Sequence, residues 1–455
     1  VNPYYSEGVP EEGEMQSVGP VRAEERISSL DMVRGFALLG ILLMNIVGFG
    51  LHGAYDDPTI AGGGTGINLW TWIVMHVLAE GKMRCLFSMI FGAGIILLTS
   101  KAEEKGAGAD AADIFYRRNL WLLLFGALHA FLLWHGEILY PYALCALLLY
   151  PFRRMAAKRL LLIGFMMMAA MAGILVFKGY DLRKTIETAK LAEQIQKSGG
   201  KLSEQQEEAK KSWEEIRKNV KPTPEEVEKT NKKWRGGIVD VLKVRAEIVR
   251  QWHAMPYYHY MYLDLFSMMF LGMAFFKMGI FSGAKPARFY AITAAAGYAI
   301  GLPVNSFTAW VRVSSGFDLV TITYSGIAYD LGRLSIAMAH VGVLMLLHKA
   351  GLFRWILRPL AAIGQMALSN YLFHSLVCST IFCGYGFAMF GRMQRYQLYY
   401  VVAGIWIFQM IVSPIWLKHF QFGPAEWIWR SLTYWKRQQM RIRQAEQELA
   451  AEAAA

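Results

Sequence analysis

Residue types that do chemistry recur in segments of this chain that are otherwise apolar. One set comprises Asn45, His52, Asp56, Asp57, His135, Glu137, His253, His259, Asp264, Asp330 and Arg333. An imidazole with a carboxylate near it is what general-base activation of a hydroxyl or amine requires, and an amide such as that of Asn45 can hold a carbonyl oxygen as charge builds on it. Most members also have a plainer account. A histidine at a membrane interface packs its ring and wets its tip. Asp330 and Arg333, three apart on a helix, suit a structural ion pair. Glu137 is harder to dismiss, because it sits at a helix break inside an apolar block, and such breaks line cavities. A second set is Asp31, Arg34, Arg84, Gln365, Asn370 and His374. It offers guanidinium groups for the phosphates of a donor or, in the plainer reading, polar ties between helices. Asn370 and His374 are i,i+4 and share a helix face.

The elements that must position these groups are membrane helices. The 455-residue chain is 55% hydrophobic and 18% charged, with 14 Trp, 26 Phe and 24 Met, which is too apolar for a soluble protein of this size. Its formal charge of +12 sits largely beside apolar spans, and no aromatic-plus-basic RNA motif is present, so nucleic acid is not an expected partner. Cys85, Cys145, Cys378 and Cys383 all lie in apolar segments and read as buried thiols. No His/Cys spacing fits zinc, so no metal is expected, and there is no P-loop or dinucleotide fingerprint. Residues 1–25 are polar and acidic, and the first apolar span is too long and too polar for a signal-peptide core.

That first span, about 30–51, carries Asp31, Arg34 and Asn45. An Asp or Arg at a helix centre costs about 2.5–3.5 kcal/mol on insertion scales. A bland anchor would need none of them, so the span is expected to belong to a polar site, with Gly35 and Gly40 admitting neighbouring helices. Residues 69–100, interrupted at Gly81-Lys82-Met83-Arg84, predict an interfacial or re-entrant piece and then a span ending near Thr99. Residues 119–152 predict two short helices broken at Trp134-His135-Gly136-Glu137, and a fifth span runs to about Phe177. Further spans are predicted at 257–281, 288–310, 324–347, 366–389 and 397–417. Basic residues after alternate spans (Lys277, Lys285 and Arg288; Lys349, Arg354 and Arg358; Lys418, Lys436 and Arg437) predict roughly ten spans with both ends cytoplasmic.

The fold expected is therefore an all-α polytopic membrane protein. It has a cytoplasmic segment (1–29), a transmembrane bundle (30–177), an extracytoplasmic helical insert (178–255), a second bundle (256–420) and a cytoplasmic tail (421–455). In the insert, Ser203-x-x-Gln206 and Thr223-Pro224-Glu225-Glu226 are N-cap signatures and Gly199-Gly200 is a break. Its last piece, 238–252, has an apolar face for the membrane surface or the bundle, while a solvated spacer is the bland reading of the whole.

Several stretches resemble the YeiB-like family of bacterial multi-pass proteins. At the front these are Arg26-x4-Asp31-x2-Arg34-Gly35 with Asn45, Gly81-Lys82-x-Arg84-x-Leu86-Phe87-Ser88 with Phe91-Gly92, and Leu128-His129 with Gly136-Glu137-Ile138-Leu139 and Tyr142-Ala143. At the end they are Gly364-Gln365-Met366-Ala367-Leu368-Ser369-Asn370-Tyr371-Leu372, Trp416-Leu417, Phe422-Gly423-Pro424-Ala425-Glu426-Trp427 and Arg430-Ser431-Leu432-Thr433-Tyr434. The chain departs from the family pattern at Glu137, where Asp is expected, at His374, where Gln is usual, and in its long insert. That family is similar in turn to the transmembrane acyltransferases, such as the lysosomal heparan-glucosaminide acetyltransferase and bacterial sugar O-acyltransferases. Those relatives place Arg-Gly near the start of the first span and an Asn or His eleven residues after the Arg, as Arg34 and Asn45 stand here. In the lysosomal enzyme a catalytic His follows in the loop beyond, and His52 holds a comparable, more proximal position.

The resemblance implies a protein of the bacterial inner membrane that moves an acyl group from cytoplasmic acyl-CoA, as co-substrate, to a lipid or envelope-sugar acceptor at the outer face. Arg34 would fix the donor or the bundle, and Asn45 would position the acyl carbonyl. His52 or His135 would deprotonate the acceptor, and Glu137 would orient or charge-stabilise that base. A transporter or flippase for a lipid or small amphiphile is the alternative, with the same groups as its pathway. A scaffold that docks a partner through the insert is a third reading. The bilayer is a partner in all three, and a homodimer stays open.

Overall fold

The computed structural model describes residues 27–104, 110–254 and 256–442. The expected N-terminal segment up to residue 26, the tail beyond 442 and the side chains of His253 and His259 lie outside the described residues. The described residues form α-helices with short connections, and one antiparallel bridge joins Phe420 to Arg441. In order the helices are α1 (Ser28–Gly50), α2 (Gly66–Leu78), α3 (Lys82–Glu104), α4 (Asp110–Leu132), α5 (Leu139–Leu149) and α6 (Ala157–Lys197). Next come α7 (Glu204–Val220), α8 (Pro224–Trp234), α9 (Ile238–Ala254), α10 (Pro256–Lys277), α11 (Ala287–Ser314) and α12 (Leu319–Ser325). The chain then forms α13 (Tyr329–Lys349), α14 (Arg354–Gln365), α15 (Ala367–Phe382), α16 (Arg395–His419) and α17 (Pro424–Thr433).

Five helical stretches are long and apolar enough to cross a membrane: Ser28–Gly50, Gly66–Glu104, Ala157–Lys197, Leu319–Lys349 and Arg395–His419. They differ in what surrounds them. The apolar window of α1 is 72% buried against protein, whereas that of α6 is only 11% buried. A helix apolar on all sides is covered either by other helices or by lipid, and α1 takes the first solution, packing on α3, α13, α14, α15 and α16. The helices of 30–177 and 256–420 interleave, with α3 and α6 both against α10. Small residues make the closest crossings. A Cβ on Gly92 of α3 would lie 2.2 Å from Met269 O, and one on Gly272 of α10 would lie 1.9 Å from Met89 O.

Three expected boundaries move. The span predicted over 366–389 is α15 plus a loop folded back on it, with Phe387 N–H donating to Thr380 O (2.8 Å) and Phe390 N–H to Phe382 O (3.0 Å). Glycine allows the return, since a Cβ on Gly386 would stand 1.8 Å from Thr380 O. The span predicted to start at 324 begins earlier, at Leu319 with α12, and passes through a 3-10 turn at Gly326–Ala328 before α13 starts at Tyr329. The fifth helix does not stop near Phe177: α6 runs unbroken for 41 residues past the expected start of the insert and ends at the Gly199-Gly200 break, where Gly199 takes φ +78°. Both predicted capping boxes form, Ser203 with Gln206 and Thr223 with Glu226.

The insert is docked rather than a solvated spacer. Trp234, at the end of α8, is 4% exposed and stacks on Phe390 at 5.3 Å. Its carbonyl accepts the N–H of Gly384 at 2.9 Å.

Candidate functional site

The C-terminal end of α1, the loop after it and the loop between α4 and α5 meet beneath the insert. Trp134 stacks on Phe49 of α1, with ring centroids 4.4 Å apart. His135 lies between the insert's Trp234 (5.4 Å) and Trp252 (5.5 Å), and its Nδ1 has no protein partner. Burial is the main reason the His135 imidazole is pushed down to about 3, with the nearby Arg245 and His52 adding repulsion. His52 is half-buried, and burial lowers it too. Both rings are therefore neutral at physiological pH, the form that can accept a proton.

Asn45 is half-buried and makes no hydrogen bond with the described residues. It is one turn from Ile41, which packs with Met83, and one turn from Gly48, which faces the Trp134 ring. Its amide thus belongs to the face of α1 turned toward the start of α3 and the 133–138 loop.

Glu137 is held by the helix that follows it. Its carboxylate accepts the N–H of Leu139 (2.6 Å) and of Tyr140 (3.1 Å), two of the donors left open at the start of α5. Burial nonetheless pushes this carboxyl up to about 8, with the two N–H groups opposing. The polar side chain at the break thus closes a helix end, and its hydrogen bonds go to α5 rather than to His135. Asp57 does similar work, taking the N–H of Thr59 (2.9 Å) and its hydroxyl (2.5 Å), with Lys221 of the insert 3.8 Å away. Asp56 is exposed.

Arg245 of α9 reaches down into this region and is 1% exposed. It donates to Leu132 O (2.6 Å), to the Tyr385 hydroxyl (2.9 Å) and to the Ser379 hydroxyl (3.3 Å), all neutral groups. Arg395, equally buried, donates to Ala54 O in the loop that carries His52.

A separate charged network surrounds the α2–α3 break. Arg84 pairs with Asp264 of α10 at 3.1 Å, Asp264 pairs with Arg333 of α13, and Arg333 pairs with Asp330 at 2.6 Å. Tyr329 donates to Glu80 (3.0 Å), and the buried Lys82 donates to His76 O (2.5 Å). Gly81 takes φ +71° directly under the Tyr329 hydroxyl. The structure therefore moves Arg84 out of the set in which the sequence had grouped it. Its partner acid lies on α10, so Arg84 joins Asp264, Asp330 and Arg333.

The rest of that second set lies at the other end of α1. Arg34 Nη1 donates to Asp31 at 2.5 Å and to Gly364 O at 3.4 Å. Asn370 donates to Ser413 (3.2 Å) and to Ile363 O (3.3 Å), while His374 Nε2 meets Gln409 Oε1 at 2.8 Å. These two residues tie α15 to α16. Glu426 of α17 caps α15 across the fold, accepting from Leu368 N–H (2.6 Å) and the Ser369 hydroxyl (2.5 Å).

Residues 275–436 match a family model described as a protein of unknown function, DUF418. That stretch includes α11 to α17 and the Glu426 cap. The chain is 29% identical over 417 residues to the uncharacterised protein YeiB of Escherichia coli, covering 90% of this chain and 96% of that one. It is 27% identical over 439 residues to the uncharacterised protein YxaH of Bacillus subtilis, covering 92% and 97% respectively. The chain is thus similar to YeiB-like proteins over about nine tenths of its length. No solved structure gives a significant match.

Three residues were not apparent from sequence, for identifiable reasons. Arg245 sits in a mixed-charge helix, where an arginine reads as solvated. Arg395 follows a loop and reads as a flanking basic residue. Glu80 hides in an apolar stretch, and the Gly81 next to it was the available signal.

Proposed function

We propose that the chain is an inner-membrane acyltransferase of about ten spans, with both termini in the cytoplasm and the docked insert on the outer face. It would pass an acyl group from cytoplasmic acyl-CoA to a lipid or envelope-sugar acceptor. The observation that carries this reading is the pair of neutral imidazoles, His52 and His135, near the C-terminal end of α1, the helix whose half-buried Asn45 amide makes no hydrogen bond with the described residues. His52 is the base, since it is the less buried and its basicity is closer to the operating range. His135 lends its unpaired Nδ1 to position the acceptor, and Asn45 donates to the acyl carbonyl as it gains charge. Arg34, at the cytoplasmic end of the same helix, serves the donor phosphates. Purified protein in vesicles with labelled acyl-CoA outside, and lipid extracts or envelope sugars as acceptors, tests this by transfer of label.

The charged network around the α2–α3 break favours a second reading. A broken helix with Glu80, Lys82, Arg84, Asp264, Asp330 and Arg333 around it has the makings of a translocation pathway for a transporter or flippase of a lipid or small amphiphile. Movement of an unmodified solute into such vesicles would favour it over transfer.

A further inference from the structure

The roof of the candidate site holds a positive charge that nothing among the described residues neutralises. Arg245 is 1% exposed, its hydrogen bonds go to neutral groups, and no carboxylate among the described residues pairs with it. Burying a guanidinium without an anion is strongly unfavourable. Its Nε has no protein partner. Three ring nitrogens nearby are in the same condition: Nδ1 of His129, Nε1 of Trp134 and Nδ1 of His135.

These groups belong to one neighbourhood. Arg245 donates to Leu132 O, three residues from each of His129 and His135 along the chain. Trp134 N–H donates to His129 O at 2.9 Å. Trp234 lies 5.4 Å from the His135 ring and 6.0 Å from the Arg245 guanidinium. Buried polar nitrogens are almost always paired, so a cluster of four unpaired ones needs a specific reason. Water could satisfy the ring nitrogens, but it cannot neutralise Arg245. An anion with several acceptor oxygens does both.

We propose that this cluster binds a phosphate-class oxyanion, with Arg245 as its counter-charge, His129, Trp134 and His135 as hydrogen-bond partners, and Trp234 and Trp252 of the insert as its roof. The oxyanion comes from a lipid headgroup or from free phosphate. The proposal rests on the transferase reading only in making this oxyanion part of the acceptor.

The test uses the full-length protein in a neutral detergent and reads thermal midpoint and tryptophan fluorescence. The probes are inorganic phosphate, dihexanoylphosphatidylglycerol, and sodium chloride at matched ionic strength. A saturable rise in midpoint with a fluorescence change is expected from phosphate-bearing probes and not from chloride. A response to both probes assigns the site to phosphate itself, and a response to the lipid alone assigns it to a headgroup. Arg245→Gln should weaken apparent affinity at least tenfold, and His135→Gln, in a half-buried loop, provides the second variant should the first not fold. No saturable response beyond chloride, or unchanged affinity in the variants that fold, overturns the proposal. Binding without acyl transfer would leave the anion site standing and the transferase reading fallen. Transfer without anion binding would do the reverse.

Discussion

Gly35 of α1 and Gly364 of α14 meet backbone to backbone: a Cβ on Gly35 would lie 1.9 Å from Leu360 O, and a Cβ on Gly364 would lie 1.9 Å from Asp31 O. The crossing sets the depth at which Arg34 reaches Gly364 O, so the polar group at the start of α1 depends on it. Gly364→Ala should destabilise by about 1–3 kcal/mol or more, the usual cost of forcing atoms into a packed contact. The matched control is Gly94→Ala, where nothing lies within 4 Å of the new carbon. Thermal melts in detergent check the pair, and equal melting of the two variants would remove the glycine crossing from the account.

Glu137 predicts a pH dependence. Its carboxyl is raised in the folded protein to about 8 by burial. Where the folded pKa lies above the unfolded one, stability is complete below the unfolded value and is lost as pH rises through the folded value. The thermal midpoint should therefore fall between about pH 4.5 and pH 8 for this reason. Glu137→Gln keeps an acceptor for the α5 N–H groups but cannot ionise, so the fall should be smaller in that variant. Parallel slopes for the two proteins would assign the pH dependence elsewhere.

The helices, the break at 134–137, the helix caps of the insert and the Asp31–Arg34 pair were legible because each depends on residues close in sequence. Periodicity, capping boxes and i,i+3 spacing are local signals. The Arg84–Asp264–Arg333 network was only half legible. The Asp330–Arg333 side is local, but the join to α10 and α3 depends on how helices far apart in the chain cross. Arg245 was illegible for the opposite reason. Its surroundings in sequence mix charged and apolar residues, and only docking of α9 on the bundle, where it meets Leu132 and Ser379, buries it. Glu137 shows a third case, in which position at a break was readable but the partner was not, since a carboxylate there can face a cavity or turn back to cap the next helix.

Asp31 and Arg34 make a prediction about partnership. Arg34→Ala leaves Asp31, only 10% exposed in its side chain, without its donor. That should cost about 2 kcal/mol, as for a lost hydrogen bond to a charged group. Exchanging both, Asp31→Asn with Arg34→Gln, should recover folding and leave transfer impaired, because the donor phosphates still lack their guanidinium. Full activity in the double variant would reduce the pair to a structural bridge.

Lys197 at the exposed end of α6 reports topology. In a cysteine-free background, Lys197→Cys should react with a membrane-impermeant maleimide in intact spheroplasts. Reaction only after lysis would put the insert in the cytoplasm and reverse the side assigned to His52 and His135.

The central claim is that the imidazoles at the end of α1 move a proton during acyl transfer, and one assay tests it most directly. Purified protein in vesicles is given labelled acyl-CoA and candidate acceptors, and turnover is compared for wild type, His52→Ala and His135→Ala across pH. The account predicts that His52→Ala lowers turnover by about 10²–10⁴-fold with little change in thermal midpoint. His135→Ala should lose less. The wild-type profile should hold its plateau to below the ordinary imidazole value, since burial lowers His52. Wild-type protein that neither binds nor consumes acyl-CoA, or a His52→Ala variant that turns over like wild type, would contradict it.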